Sequence, residues 1–139
     1  MYKRQVKTSG SKGMQVYAPI VSADREHASR YAKGLAQELS AETPDDVVWR
    51  MEKVLRPGKV LIDWSQNNPA KTTVAPYSLR ARAGATVSTP IGWDEVDAVR
   101  EGADPATLRF GTGDVLARVD EYGDLFDVAN ARRAPLPEI

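Results

Sequence analysis

The sequence contains no cysteine, which excludes disulfides and thiolate metal sites and fits a reducing compartment. It has one histidine, His27, and with no cysteine beside it no zinc set and no Ser-His-Asp arrangement can be built. His27 reads as an exposed, incidental residue near a helix start, on a face with Arg30. No apolar run approaches the roughly 20 residues of a membrane span. The basic opening Met-Tyr-Lys-Arg-Gln leads into no apolar stretch, so it does not read as a secretory signal. No internal repeat or low-complexity tract is visible.

What remains is an ordinary globular composition: 139 residues, 42% hydrophobic and 27% charged. That length fits one domain or a large piece of one. The net charge is zero, but the signs are segregated. Residues 1–13 carry four basic and no acidic residues, and residues 50–82 carry seven basic against two acidic. Residues 93–127 carry ten acidic against three basic. Two basic segments can present an electropositive face to phosphates, or interleave with the acidic ones and cancel.

The first dozen residues read as a Gly/Ser loop ending at Gly13. Met14 to Ile20 alternates as a strand, with Val16 and Ala18 on one face and Pro19 closing it. Residues 24–39 read as a helix with Ser22 as its cap. A second helix is expected from Thr43, with Pro44 at its first position and Val47, Val48, Met51, Val54 and Leu55 as its stripe. Lys59 to Trp64 reads as a strand buried on both faces. Thr72–Val74, Ser78–Arg82 and Ala85–Thr89 are extended candidates. Gly92 opens a helix to about Arg100, and Gly113–Glu121 is a further helix. The mixture reads as α+β. Residues 129–139 are Pro-rich and read as a tail or linker.

Three constellations could carry chemistry. Asp63 stands at the exit of Val60-Leu61-Ile62, followed by Trp64-Ser65-Gln66-Asn67. A carboxylate so placed can hold a hard divalent cation, or simply cap the next turn. Ser9-Gly10-Ser11-Lys12-Gly13 offers glycines, hydroxyls and one cation to phosphate oxygens, or is a flexible turn with a solvated lysine. It is not a Walker A loop, because Lys12 is followed by Gly13 and a strand. In Lys71 to Arg82, Arg80 and Arg82 would share one face of a strand, suited to gripping a triphosphate or merely solvated. Tyr77 and Trp64 could stack on a base or serve as core.

Taken in order, these segments resemble the polymerase domain of LigD, the bacterial non-homologous end-joining ligase, within the archaeo-eukaryotic primase superfamily. The resemblance is carried by Ser-Gly-Ser-Lys-Gly before a strand and by Gly-Lys-Val-Leu-Ile-Asp-Trp-Ser-Gln-Asn. It continues through Lys-Thr-Thr-Val-Ala-Pro-Tyr-Ser-Leu-Arg-Ala-Arg and Thr-Pro-Ile-Gly-Trp-Asp-Glu-Val. It runs from about Ser9 to about Phe126, with Val60–Arg82 the most specific block. It implies the C-terminal half of a primase–polymerase fold (an RRM-like palm) over residues 1–128, with a mixed or antiparallel sheet and flanking helices.

The resemblance also implies template-directed nucleotidyl transfer to DNA ends, with manganese or magnesium and a nucleoside triphosphate. Asp63 would be the third metal ligand or would polarise the primer hydroxyl. Ser9 and Lys12 would hold the triphosphate, and Gln66, Arg80 and Arg82 would contact its phosphates, with Asn67 nearby. The implied partners are DNA ends, a ligase domain, Ku and a chain supplying the N-terminal half, in the cytoplasm and away from membranes. The family's Asp-x-Asp pair has no counterpart here, because Asp94-Glu95-Val96-Asp97 follows Asp63 and reads as helix. The chain alone is therefore expected to have little or no polymerase activity. A non-catalytic phosphate-binding module and a degenerate remnant stay open beside this reading.

Overall fold

The computed structural model describes residues 4–22, 24, 26–127 and 132–137. In chain order its elements are β1 (Gln5–Thr8), β2 (Met14–Tyr17), β3 (Ile20–Val21), α1 (His27–Glu42), β4 (Val47–Val48), β5 (Val60–Leu61), β6 (Pro90–Ile91), α2 (Trp93–Arg100), α3 (Thr112–Tyr122) and β7 (Ala134–Pro135). Helices and short strands mix, as the α+β reading requires. None of the described helices is long and apolar enough to cross a membrane. The chain divides into two compact units, Met1–Pro19 with Val74–Ala134 and Ile20–Thr73 with Pro135–Ile139.

The first unit is built on an antiparallel sheet in the order β2-β1-β6. Its central strand is β1, a segment expected to be loop. The polar pair Lys7-Thr8 disguises it, yet Val6, Lys7 and Thr8 are all buried. Polar residues can fill a central strand when their hydrogen bonds close internally. Val6 faces Val16 on one side and Ile91 on the other. Val6 joins Val87, Ile91, Phe110 and Val115 in the core, with Tyr77, Val96 and Leu108 packed against it. The expected apolar face of β2 is not one, since Val16 is 60% exposed on an edge strand.

Helices α2 and α3 start near their expected positions. Gly92 precedes α2, and its amide donates to the Glu95 carboxylate at 2.7 Å. The Gly111 amide donates to Asp114 at 2.7 Å in the same way. Acidic side chains there satisfy orphan amides and meet the positive end of the dipole. Arg118 of α3 reaches Glu95 of α2 with two bonds of 2.8 and 2.7 Å, and its guanidinium stacks 4.6 Å from the Phe110 ring.

The second unit departs further from expectation. Helix α1 runs on to Glu42 and closes at Thr43, whose amide and hydroxyl both donate to the Leu39 carbonyl at 3.0 and 2.9 Å. Thr43 thus ends one helix instead of starting another, and Glu26 stands at the N-cap position expected of Ser22. Val47-Val48 forms β4, parallel to β5. Two β-branched residues gain more from pairing with Val60-Leu61 than from a helix that α1 has already used up. Strand β5 is half of a two-stranded ribbon and Val60 is 66% exposed, so it is not buried on both faces.

Near the C-terminus, Ala134 is buried and its amide donates to the Pro19 carbonyl at 3.2 Å, within a segment expected to be tail. Residues 129–131 and 138–139 of that segment, like Met1–Lys3 of the basic opening, lie outside the described residues.

Candidate functional site

The Ser9–Gly13 turn is a closed hydrogen-bonded ring in the first unit. The Ser9 amide donates to the Gly13 carbonyl at 2.8 Å, and the Ser9 hydroxyl accepts from the amides of Ser11 and Gly13 at 3.2 Å each. Accepting twice leaves the Ser9 hydroxyl its own proton to donate outward. Gly10 has φ of 64°, a left-handed conformation that glycine adopts without strain. It also lies against the neighbouring segment. A Cβ added there would stand 2.6 Å from Arg80 Cγ, 2.9 Å from the Ser88 amide nitrogen and 2.9 Å from the Val87 carbonyl carbon. The Gly10 carbonyl accepts from the Thr86 hydroxyl at 2.6 Å. The turn therefore rests on the stem of Arg80 and on the 86–88 backbone, with Lys12 exposed on its outer side.

Arg80 is held by a small antiparallel hairpin. Its amide donates to the Thr86 carbonyl at 2.7 Å, and Leu79 bridges to Val87. The shared strand face expected for Arg80 and Arg82 does not exist. The Arg82 amide turns back to the Arg80 carbonyl at 2.8 Å, because Arg82 already belongs to the reverse turn that Gly84 completes.

Beneath the turn lies a residue the sequence reading missed. Lys7 is fully buried, with its ammonium donating to Gln15 Oε1 at 2.5 Å and to Ser88 Oγ at 2.7 Å. The Ser88 hydroxyl passes the contact on to the Thr8 carbonyl at 2.8 Å. Burial, and then the charge of Arg80, pushes the Lys7 pKa down to about 8. The signal was its place directly before the Thr8-Ser9-Gly10 turn, hidden because the segment read as loop.

Asp63, Gln66 and Asn67 belong to the second unit. Asp63 follows β5 directly after Ile62, and the Ile62 amide donates to Val48 at 3.0 Å, so a strand does deliver the carboxylate to a loop. Asp63 opens a 3₁₀ turn at Trp64–Gln66. The Ser65 hydroxyl donates to Asp63 Oδ1 at 2.6 Å and the Gln66 amide to Oδ2 at 2.9 Å. Burial favours the neutral acid, but the bonds from Ser65 and Gln66, with Lys71 nearby, outweigh it and hold the pKa below the ordinary value. Each oxygen keeps a lone pair that a cation could use.

Asn67 donates to the Trp64 carbonyl at 3.3 Å and lines a concavity of about 450 Å³ with Arg30, Lys33 and Asn68. Trp64 is tied into the unit. Its indole N–H donates to the Trp49 carbonyl at 3.0 Å, and Lys33 lies 5.1 Å from its ring centroid. Among the described residues no group of three or more His, Asp or Glu could hold a metal ion. Asp63 alone is one carboxylate, which does not make the cation cage that two-metal chemistry uses.

Residues 2–126 match the family described as LigD, primase-polymerase domain. The chain is 49% identical over 119 residues to the multifunctional non-homologous end joining protein LigD of Mycolicibacterium smegmatis, covering 85% of this chain and 15% of that protein. It is 36% identical over 108 residues to the protein of that name from Pseudomonas aeruginosa, covering 75% of this chain and 12% of that protein. Among solved structures it resembles the polymerase domain of Mycobacterium tuberculosis ligase D in complex with DNA. That match has a TM-score of 0.82 and 41% identity, and it covers 94% of this chain and 45% of that one. The chain thus spans 15% and 12% of these two LigD proteins and under half of the solved polymerase domain. It belongs to the LigD primase-polymerase domain family.

Proposed function

We propose that this chain is a nucleotide- and DNA-end-binding portion of a non-homologous end-joining repair polymerase, handling a polyphosphate in its first unit. The observation that carries this reading is the packing of Gly10 on Arg80, which ties the Ser9–Gly13 turn to a guanidinium. Ser9 and Lys12 hold phosphate oxygens from the turn, and Arg80 grips them bidentately. Arg82, exposed in the next turn, adds charge at the rim. In the second unit, taken by itself, Asp63 offers a carboxylate to manganese or magnesium, and Gln66 holds that carboxylate in place. The DNA-bound state of the solved M. tuberculosis relative and the end-joining names of the LigD proteins support DNA ends as the partner. Ku and a ligase domain would act beside it in the cytoplasm.

The carboxylate inventory limits the chemistry. Nucleotidyl transfer by two cations about 4 Å apart needs several carboxylates, so this chain binds but does not extend by itself. Primer extension with manganese and ribonucleotides tests this. No product is expected from the chain alone, and a product lost in Asp63→Ala would refute it.

A second reading, a phosphate-binding module with no chemistry, draws on the engagement of both Asp63 oxygens by Ser65 and Gln66. Triphosphate affinity indifferent to manganese and to Asp63→Asn favours that module. A manganese gain lost in Asp63→Asn favours the polymerase portion.

A further inference from the structure

A buried ammonium normally answers to a carboxylate, because an uncompensated charge in a dry site is costly. Lys7 breaks that pattern. Its side chain is fully buried, and its hydrogen bonds go to neutral oxygens of Gln15 and Ser88. Among the described residues no Asp or Glu pairs with it. The groups around it come from three elements. Strand β2 supplies Gln15 and the Tyr17 ring, 5.8 Å from the ammonium. The segment before β6 supplies Ser88. The 79–87 hairpin supplies Arg80, a second cation, which adds to the cost. Two cations thus meet around the turn, and no ion pair among the described residues joins a carboxylate to either.

We infer that Lys7 is a positioning residue of the phosphate cradle, and that the counter-charge its buried ammonium lacks is supplied by the polyphosphate received by the Ser9–Gly13 turn and Arg80. Lys7 does not touch that ligand, because it has no exposed surface. It acts through Ser88, whose hydroxyl joins the Lys7 ammonium to the Thr8 carbonyl and whose amide nitrogen lies against Gly10. The inference rests on the polyphosphate reading of the cradle and adds a proton to it. Burial and Arg80 hold the Lys7 pKa at about 8, and an anion nearby must raise it. Above pH 8, binding then takes up a proton, and by linkage affinity falls as pH rises. At pH 7.5 only about a quarter of Lys7 is neutral, and below about pH 7 it is charged and contributes almost no pH dependence.

The test is calorimetric titration of the full chain with inorganic tripolyphosphate, without metal, at pH 7.5 and 8.8. Each pH is run in two buffers of different ionisation enthalpy. Uptake should be roughly half a proton or more at pH 8.8 and small at pH 7.5, with affinity about threefold weaker at the higher pH. Lys7→Met, checked for folding by circular dichroism, should bind at least tenfold more weakly at pH 7.5 and show no uptake. The wild-type proton count stands even where that variant does not fold. Binding by wild type with no proton uptake at pH 8.8 overturns the role of Lys7 and leaves the cradle intact. Absence of tripolyphosphate binding overturns the cradle reading, and this inference with it.

Discussion

Gly10 and Arg80 pack so closely that any side chain on the glycine would strike the arginine stem, the Cβ position lying 2.6 Å from Arg80 Cγ. That approach is what makes a Gly/Ser/Lys turn and a guanidinium one object. It also sets a sharp contrast between two glycines of the same turn, since nothing lies within 4 Å of a Cβ on Gly13.

Gly10→Ala should therefore destabilise the chain by about 2 kcal/mol or more, from a left-handed backbone and a contact that backbone atoms of Val87 and Ser88 cannot relieve. Gly13→Ala should stay within about 0.5 kcal/mol of wild type. Urea denaturation of the two variants checks this, and equal losses would contradict it.

Lys7 should give the fold an unusual rise in stability with alkali. Its folded pKa of about 8 lies below the ordinary 10.5, so the folded state penalises its charged form. Between those values the unfolded chain binds more protons, and stability rises with pH. The gain is on the order of 2 kcal/mol from pH 7 to pH 10. Chemical denaturation across that range should show the rise in wild type and a flat profile in Lys7→Met.

The positions of these residues were unevenly legible in the sequence. Asp63 at a strand exit and the turn closing at Gly13 could be read locally, because β-branched runs and Gly/Ser clusters announce themselves. Helices α2 and α3 were equally plain, each opening on a glycine with an acidic capping residue. Strand β1 could not be read, since its buried polar residues depend in part on partners such as Ser88, about 80 positions away. The helix expected from Thr43 failed for a related reason. Its valines are claimed by β5, a partner that local propensity does not see. The paired arginines failed because the hairpin ends between them.

Tyr77 should oppose Lys7 at higher pH. Its hydroxyl donates to Asp124 at 2.6 Å and accepts from the Leu125 amide at 3.2 Å. Burial, and then the bond to Asp124, pushes its pKa up to about 12. The folded state favours the neutral phenol, so this stabilisation is complete below pH 10 and lost as pH rises toward 12. Tyr77→Phe should cost about 1 kcal/mol at neutral pH and remove that alkaline loss, as read by thermal melts in matched buffers.

Glu95 does two jobs, capping α2 through the Gly92 amide and pairing with Arg118 of α3. Both partners of the pair are mostly buried, with side-chain exposures of 17% and 28%. Glu95→Ala should cost about 2 kcal/mol, and Arg118→Met less, because it removes the pair and keeps the cap. A double-mutant cycle by urea denaturation should show coupling of about 1 kcal/mol, and strict additivity would contradict the shared role.

The most direct measurement is titration of the full chain with a fluorescent ribonucleoside triphosphate, beside Lys12→Ala and Arg80→Ala. Wild type should bind saturably, with competition by tripolyphosphate, and each variant should bind about tenfold or more weakly while staying folded. Equal affinity in all three would contradict a phosphate cradle at the Ser9–Gly13 turn.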